Sequence, residues 1–259
     1  VLGTNGTLIT KEVAQKIKDT GFMAAGVSLD TLSEDKYNDF RKFPDAFKKT
    51  VGGMNNLREA GVPFQIHTTV MKWNVTELDK MTDFAVEIGA RAHHIFFLVP
   101  TGRGAEIEKQ ALEINEYEEV LTDIVKKQVN CPIEVKPTCA PQFVRIAKQQ
   151  NIETRFKRGC LAGLSYCIVS PKGDVQPCAY LNIPLGNVRE TPFNKIWKNN
   201  PVLKELRTVD YTGKCGICAY KNTCGGCRAR AYFYEGNYMA EDKHCMYNPK
   251  TDKVENEQS

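Results

Sequence analysis

The distribution of cysteine constrains the fold of this chain more than any other feature. Eight of its ten cysteines lie in the last hundred residues, and four of those fall within thirteen consecutive positions. The eight are Cys160, Cys167, Cys178, Cys215, Cys218, Cys224, Cys227 and Cys245. Thiolates two residues apart can bind one metal ion or cluster from a single turn of the chain. Eight such ligands fit two sites of four ligands each.

Disulfides, zinc and iron–sulfur clusters all use closely spaced cysteines. Disulfide frameworks are typical of small secreted scaffolds, whereas here a long region containing only Cys131 and Cys139 precedes the cysteine-rich part. This distribution favours a metal or cluster site in a reducing compartment, and we expect a cytoplasmic protein. Zinc remains a rival because Cys-x2-Cys pairs also hold structural zinc. An all-cysteine ligand set, with only His244 nearby, favours iron–sulfur clusters.

The bulk composition argues against several classes of protein. The chain has 259 residues, 25% of them charged, and a net charge of +4 that is spread along its length. No basic stripe indicates a nucleic-acid partner. No apolar run approaches the roughly 18 residues of a membrane span, so we expect no membrane partner. The chain opens without Met in what reads as a strand, and we expect that a front region is missing.

Residues 1–155 alternate between short apolar runs and amphipathic segments. We predict strands at 1–3, 22–29, 63–71, 92–99 and 133–136. We predict helices at 11–20, from 33, and at 45–60, 75–88, 115–129 and 141–150. This alternation predicts an α/β fold in which helices cover parallel strands. Ligands of such folds bind at the carboxyl ends of the strands.

Polar residues follow four successive predicted strands. They are Thr4-Asn5-Gly6, Ser28 with Asp30, Thr68 and Thr69 with Asn74, and the segment 98–103. Any one of these groups reads as an ordinary turn or cap. Four groups at four successive strand ends predict a binding edge.

The cysteine-rich part begins with a predicted β-hairpin. Residues 166–169 and 174–177 alternate in polarity around a Ser-Pro-Lys-Gly turn, which is a hairpin signal. We expect the hairpin to bring Cys167 and Cys178 side by side, with Cys160 close to them. The hairpin would then supply three thiols to one site.

Together these features resemble the radical S-adenosylmethionine (SAM) enzymes that carry a SPASM cysteine module. In that module a Cys is followed by Gly-x4-Cys, then by Cys-x2-Cys-x5-Cys, and then by two further cysteines. The matching residues are Cys160, Gly173, Cys178, Cys215, Cys218, Cys224, Cys227 and Cys245. The spacing between Cys224 and Cys227 is one residue shorter than the commonest form. The resemblance covers essentially the whole chain.

The resemblance implies an α/β fold made of two domains. Residues 1–155 would be the C-terminal portion of a partial (β/α)6 radical SAM barrel, and Val1 would lie on its third strand. Residues 156–259 would be the SPASM module. The Cys-x3-Cys-x2-Cys motif that binds the SAM-cleaving cluster does not occur in this chain. We expect that motif on an upstream part, and we expect the chain alone to be inactive.

The resemblance also implies how cofactors are held. Two auxiliary [4Fe-4S] clusters would bind to two sets of ligands, the first being Cys160, Cys167, Cys178 and Cys227, and the second being Cys215, Cys218, Cys224 and Cys245. SAM would contact residues at the strand ends, namely Asn5, Ser28, Asp30, Arg41, Thr69, Asn74, Leu98 and Val99. Electrons would come from a donor such as ferredoxin or flavodoxin.

A narrower resemblance concerns the substrate. Segments 96–104, 138–141 and 224–231 resemble the tetrapyrrole-modifying branch of these enzymes. This implies heme biosynthesis, with oxidative decarboxylation of Fe-coproporphyrin III propionates to vinyl groups. Modification of another siroheme-derived tetrapyrrole is an alternative, as is maturation of a ribosomal peptide. A zinc-stabilised binding module without catalysis is the alternative from a different class of protein.

A tetrapyrrole with several carboxylates needs fixed cations. The candidates are Arg103, Arg145, Arg155, Arg158, Arg228 and Arg230. For any single one of them a solvated surface arginine is the more common role, although Gly102 and Gly104 favour exposure of Arg103 at a strand end. Arg103 is therefore one of two candidate catalytic residues.

Cys139 is the other candidate catalytic residue. It follows a predicted strand, where it can serve as a cluster or iron ligand, as a reactive thiol, or as an inert buried residue. His93 and His94 are adjacent on a strand, so one of them must face inward. That histidine is either part of the core or an axial ligand to a substrate iron.

Overall fold

The structure is a computed structural model that describes residues 1–252. Its contacts divide the chain into two compact units. The first comprises residues 1–98 and 127–138, and the second comprises residues 99–126 and all that follows residue 138. Residues 99–126 and 139–155 thus group with the cysteine-rich part, although the sequence assigns them to the first domain. The predicted boundary after residue 155 stays a prediction.

The first unit is built on a five-stranded parallel sheet whose strands follow the order of the chain. The strands are β1 (Leu2–Thr4), β2 (Ala25–Ser28), β3 (Phe64–Val70), β4 (Ala92–Phe97) and β5 (Glu134–Thr138). Each strand pairs in parallel with the next, for example Ser28 with His67 and His67 with His94. The α/β class predicted from the sequence is confirmed.

Helices join the strands of this sheet and cover one of its faces. They are α1 (Lys11–Asp19), α2 (Glu34–Arg41), α3 (Ala46–Glu59) and α4 (Leu78–Glu87), the last preceded by a 3-10 turn at Val75–Glu77. Val27 and Ile66 of the sheet share a buried core with Met54, Leu57 and Met81 of the helices. Apolar residues at helical spacing lie on one face of each helix, and packing that face against the strands stabilises the helix.

The opposite face of the sheet is partly polar. Successive side chains of a strand point to opposite faces, so Gln65, His67 and Thr69 alternate with the buried side chains of β3. On β4 the half-buried residues are His94 and Phe96. The carboxyl ends of all five strands lie at one edge of the sheet, as parallel pairing requires.

The second unit consists of short elements joined by long loops. They are a 3-10 helix at Gly102–Gln110, α5 (Ile114–Lys127), α6 (Phe143–Gln149), β6 (Ile168–Val169), β7 (Asp174–Gln176), β8 (Gly186–Asn187), α7 (Phe193–Asn199), α8 (Pro201–Thr208), α9 (Gly213–Gly216) and α10 (Arg228–Glu235). β6, β7 and β8 form an antiparallel sheet, and the predicted hairpin is its first pair. Within residues 1–252 no helix is long and apolar enough to cross a membrane.

Candidate cluster-binding and cofactor sites

Four of the predicted ligands line one cavity in the second unit. They are Cys215, Cys218, Cys224 and Cys245. Gly225 and Gly226 line the same cavity with positive φ angles of 73° and 57°. A Cβ atom at Gly226 would lie 3.2 Å from Sγ of Cys215 and 2.9 Å from Cβ of Asp242, so glycine is needed for the chain to pass this sulfur. The structure therefore gathers the second predicted ligand set around one space.

The surroundings of these thiols suit an iron–sulfur cluster. The backbone N–H of Gly226 donates to Sγ of Cys224 at 3.5 Å. The backbone N–H of Asp242 donates to Sγ of Cys215 at 3.4 Å, and Arg228 adds a contact to that sulfur at 3.8 Å. Donors of this kind stabilise the negative charge of cluster-bound thiolates. Within residues 1–252 no three His, Cys, Asp or Glu side chains are grouped so that they could hold a single metal ion.

Burial raises the pKa of three of these thiols, which favours their protonated form in the absence of a ligand. It raises the pKa of Cys245 to about 11, against the opposing charge of Arg145. Burial also raises the pKa of Cys215, which Arg228 opposes, and it raises the pKa of Cys224 well above the ordinary value. Binding of a metal or cluster to the thiolates would therefore release protons.

Asp242, which the sequence did not single out, is a buried link between the two groups of cysteines. Its carboxylate accepts hydrogen bonds from Arg230 at 2.9 and 2.8 Å, and from the backbone N–H of Cys227 at 2.8 Å. Burial opposes its ionisation, but the charge of Arg230 and these hydrogen bonds outweigh it and hold the pKa of Asp242 well below its usual range. Asp242 thus contacts Cys227 of one predicted ligand set and Cys215 of the other.

Two further side chains complete the surroundings of Asp242. Gln142 donates to its carboxylate at 2.8 Å and accepts from the hydroxyl of Tyr117 at 2.8 Å. Arg230 donates to the same hydroxyl at 3.0 Å. The four side chains form a closed ring of hydrogen bonds in which a buried ion pair is satisfied on all sides.

Three of the arginines predicted to bind substrate carboxylates or to lie at the surface are buried inside the second unit. Arg145 is 4% exposed, and Arg228 and Arg230 are each 1% exposed. Arg145 donates to both carboxylate oxygens of Glu118 at 2.6 and 2.7 Å. Arg228 donates to two backbone carbonyls at 2.8 and 2.7 Å. Each of these arginines is buried and binds groups within the protein, which corrects the prediction that they bind substrate carboxylates.

The first predicted ligand set is only partly brought together. Cys178 and Cys227 pack around Leu181 in one apolar cluster. Burial raises the pKa of both thiols, and the nearby thiol of Cys160 raises it further. Cys167 instead packs into a separate apolar cluster of this unit.

The paired part of the hairpin stops short of both cysteines. Its last pair is Ile168 with Gln176, and Cys178 forms an isolated bridge with Leu181. The expectation that the hairpin brings the thiols of Cys167 and Cys178 side by side stays a prediction.

Four of the predicted SAM-binding residues meet at one edge of the parallel sheet. Arg41 binds the carboxylate of Asp30 at 2.5 Å, and the backbone N–H of Thr69 donates to the same carboxylate at 2.8 Å. Asn74 donates to the backbone carbonyls of Asp30 and Thr69 at 2.8 and 2.9 Å. Asn74 is fully buried, so its amide holds the strand ends together, whereas Arg41 remains 28% exposed.

The other predicted site residues are more dispersed. Asn5 follows β1 and is exposed, and Ser28 and Leu98 are half-buried. Val99 is buried in the second unit. Arg103 lies exposed in the 3-10 helix of that unit.

The two adjacent histidines of β4 have different surroundings. Nδ1 of His93 lies 2.9 Å from Oγ1 of Thr82, and its Nε2 lies 2.9 Å from Oγ1 of Thr68. Burial lowers the pKa of His93 to about 3, so the ring is neutral. His93 is therefore the core histidine that the sequence analysis considered. His94 lies on the other face and stacks on His67 with 5.3 Å between ring centroids.

Comparison with known families agrees with this architecture. Residues 1–85 match the model of the Radical SAM superfamily, and residues 160–228 match the model of the SPASM iron-sulfur cluster-binding domain. The fold and the cysteine module therefore define a radical SAM enzyme with a SPASM domain, a class whose cofactors are SAM and [4Fe-4S] clusters. The class predicted from the sequence is confirmed.

Curated relatives narrow the class further. The chain is 44% identical to the AdoMet-dependent heme synthase of Methanosarcina barkeri over 262 residues, which cover 96% of this chain and 74% of that protein. It is 42% identical to the AdoMet-dependent heme synthase of Nitratidesulfovibrio vulgaris, covering 96% of this chain and 72% of that protein. The chain belongs to the family of AdoMet-dependent heme synthases.

A solved structure supports the fold alone. The crystal structure of Streptococcus suis SuiB superposes with a TM-score of 0.72 at 18% sequence identity. The match covers 95% of this chain and 60% of the SuiB chain.

Proposed function

We propose that the chain forms part of an enzyme that converts Fe-coproporphyrin III into heme. The observation that carries this proposal is 40–44% identity to three AdoMet-dependent heme synthases over 96% of the chain. The chemistry is oxidative decarboxylation of two propionate side chains to vinyl groups. Each propionate loses CO2, one hydrogen atom and one electron, so the enzyme needs both a hydrogen-abstracting group and an electron acceptor.

When bound, SAM and its cluster would supply the hydrogen-abstracting group, and the auxiliary clusters would accept the electron. The residues of this chain hold the cofactors. Asp30 and Arg41, joined at the carboxyl edge of the parallel sheet, support a contact with SAM. The cavity lined by Cys215 and its three partner cysteines supports one auxiliary cluster. We further propose a small electron carrier such as ferredoxin or flavodoxin as the donor.

Arg103 supports binding of a substrate carboxylate. It is exposed, whereas the buried arginines of the second unit already bind groups within the protein. A guanidinium that donates to a carboxylate contributes about 1.5–3 kcal/mol. We expect Arg103→Gln to raise KM for Fe-coproporphyrin III about tenfold or more, with a smaller change in kcat. Arg91 is an exposed arginine of the first unit, and Arg91→Gln is the matched control, which should leave KM unchanged.

The experiment that tests the proposed function uses a full-length protein that carries this chain. The protein is incubated without oxygen with SAM, a reductant and Fe-coproporphyrin III, and the porphyrin and 5′-deoxyadenosine are followed by mass spectrometry. We expect two losses of CO2 per porphyrin and one 5′-deoxyadenosine for each vinyl group formed. Formation of 5′-deoxyadenosine without change in the porphyrin would contradict the proposed substrate.

A further inference from the structure

Arg145 is a buried cation in the wall of the cavity that Cys215, Cys218, Cys224 and Cys245 line. It lies on α6 and is 4% exposed. Burial removes its guanidinium from water, so each of its N–H groups needs an acceptor inside the molecule. The partners of the three nitrogens therefore indicate what this side chain binds.

Two of the three nitrogens of Arg145 are paired with side chains of the same unit. Nη2 donates to both carboxylate oxygens of Glu118 at 2.6 and 2.7 Å, and Nη1 donates to Oε1 of Gln149 at 2.7 Å. The Nε atom is buried and has no hydrogen-bond partner within residues 1–252. A buried donor without an acceptor is unfavourable, so Nε requires an acceptor that the described polypeptide does not supply.

The guanidinium of Arg145 is fixed beside the cavity. Glu118 and Gln149 hold its two Nη atoms, and Cζ lies 5.4 Å from the centroid of the Tyr247 ring. Tyr247 lines the same cavity. Because these contacts hold the plane of the group, its remaining N–H stays at the cavity wall and is available to a bound group there.

The charges of the cavity wall fit a negatively charged occupant. Among the described residues that line it, Arg145, Lys214 and Lys221 are cations and none is acidic. Nζ of Lys214 donates to the carbonyl of Cys245 at 2.9 Å, which keeps that charge close to a predicted ligand. An iron–sulfur cluster held by four thiolates is negatively charged, and reduction adds a further negative charge. Fixed cations around it therefore favour the reduced form.

Arg145 differs in this respect from the two other buried arginines of the unit. Nη1 of Arg228 donates to two backbone carbonyls, and its Nη2 contacts Sγ of Cys215 at 3.8 Å. Arg230 is paired with Asp242. Of these three arginines in the described part of the chain, Arg145 is the one with a buried nitrogen left unpaired.

We propose that Arg145 donates its Nε–H to the cluster bound by Cys215, Cys218, Cys224 and Cys245, and thereby raises the reduction potential of that cluster. This inference rests on the proposed function, in which an auxiliary cluster accepts an electron. A hydrogen bond and a fixed positive charge both stabilise the more negative, reduced cluster. Arg145 thus makes the cluster a better acceptor for the electron that leaves each propionate.

The test compares variants of the full chain after anaerobic reconstitution with iron and sulfide. A redox titration followed by electron paramagnetic resonance (EPR) gives the potentials, and the signal that Cys218→Ala removes identifies the cluster of this cavity. Arg145→Lys keeps the charge beside Glu118 but has no Nε–H. We expect its reduction equilibrium to shift about tenfold toward the oxidised cluster, a fall of about 59 mV for one electron. Arg145→Gln also removes the charge and should lower the potential further.

Arg207→Lys is the matched control. Arg207 lies on α8, is half-buried and stacks on Trp197 with 4.4 Å from Cζ to the ring centroid. Its Nη2 is also buried without a partner among residues 1–252, but Arg207 is not one of the residues that line the cavity. This variant should leave the potential unchanged, which separates an effect at the cavity from the general loss of a buried guanidinium.

Glu118→Gln keeps the test valid if the Arg145 variants fail to bind iron. It removes the carboxylate that neutralises Arg145 and retains the guanidinium, so the potential should rise. Wild-type potentials in both Arg145 variants, or in Glu118→Gln where that variant alone binds iron, would overturn the inference and leave the proposed function intact. A wild-type chain that binds no iron would contradict the proposed function itself.

Discussion

The buried ion pair of Asp242 and Arg230 is the residue-level feature that joins the two groups of cysteines. Asp242 is 0% exposed and accepts hydrogen bonds from Arg230, Gln142 and the backbone of Cys227. Removing one partner of such a pair leaves a buried charge without its counter-ion. Its contribution to stability is therefore best tested by an isosteric change.

Asp242→Asn should lower the free energy of unfolding by about 3–5 kcal/mol, because Arg230 then keeps a buried charge without a carboxylate. Asp83→Asn, at an exposed position on α4, is the control and should change the free energy by less than about 0.5 kcal/mol. Denaturant unfolding followed by circular dichroism measures both. Equal stability of the two variants would show that the ion pair is not needed.

Because the pKa of His93 is lowered in the folded protein, we expect the protein to lose stability in mild acid. This folded pKa of about 3 lies below the unfolded value of about 6.5. The unfolded chain therefore binds a proton that the folded chain does not, and the free energy of unfolding falls as pH decreases below about 6.5. The slope from this one residue approaches about 1.4 kcal/mol per pH unit. His67 and His244, with folded pKa values of about 4, act in the same direction.

His93→Asn separates this effect from the other sources of acid sensitivity. The variant should be less stable than wild type at pH 7.5, because it loses hydrogen bonds to Thr68 and Thr82. It should then lose less stability than wild type between pH 6.5 and 5.0. Parallel pH profiles for the two proteins would contradict the assignment of a neutral core histidine.

At the scale of elements, the sequence predicted the helices and strands of the first unit well, because hydrophobic spacing reports burial directly. The predicted strand at 22–29 is shorter in the structure, where β2 begins at Ala25. Phe22 and Met23 are apolar but 42% and 83% exposed, so their apolar character did not report burial. The hairpin was predicted, yet its paired residues end at Ile168 and Gln176, so the hairpin signal does not specify how Cys167 and Cys178 lie.

Two neighbouring glycines of α3 provide a test of this packing. A Cβ atom at Gly53 would lie 2.2 Å from the carbonyl of Gly6, whereas one at Gly52 would meet nothing within 4 Å. Gly52→Ala should stabilise the chain by about 0.5–1 kcal/mol through helix propensity. Gly53→Ala should destabilise it by about 1–3 kcal/mol through overpacking. Thermal unfolding of the pair measures both, and similar shifts in Tm would contradict the position of α3 against the loop after β1.

At the scale of the whole molecule, the class of enzyme was predicted from a resemblance to a known family, which the cysteine spacing and the strand–helix alternation carried. The second predicted set lines one cavity, as its spacing suggests, because Cys215, Cys218 and Cys224 are close in sequence and need little tertiary information. That this set binds a cluster stays a prediction. The surroundings of Asp242 and the burial of Arg228 and Arg230 could not be predicted. They depend on long-range contacts, such as that between Arg230 and Tyr117, that leave no local pattern.

The central claim is that the cysteine-rich unit binds two four-iron clusters for radical chemistry on a tetrapyrrole. Metal and sulfide analysis of the chain, purified and reconstituted without oxygen, tests it most directly. The account predicts about eight irons and about eight acid-labile sulfides per chain, without stoichiometric zinc. One or two zinc ions per chain, without iron or sulfide after reconstitution, would contradict it and favour a zinc-stabilised module.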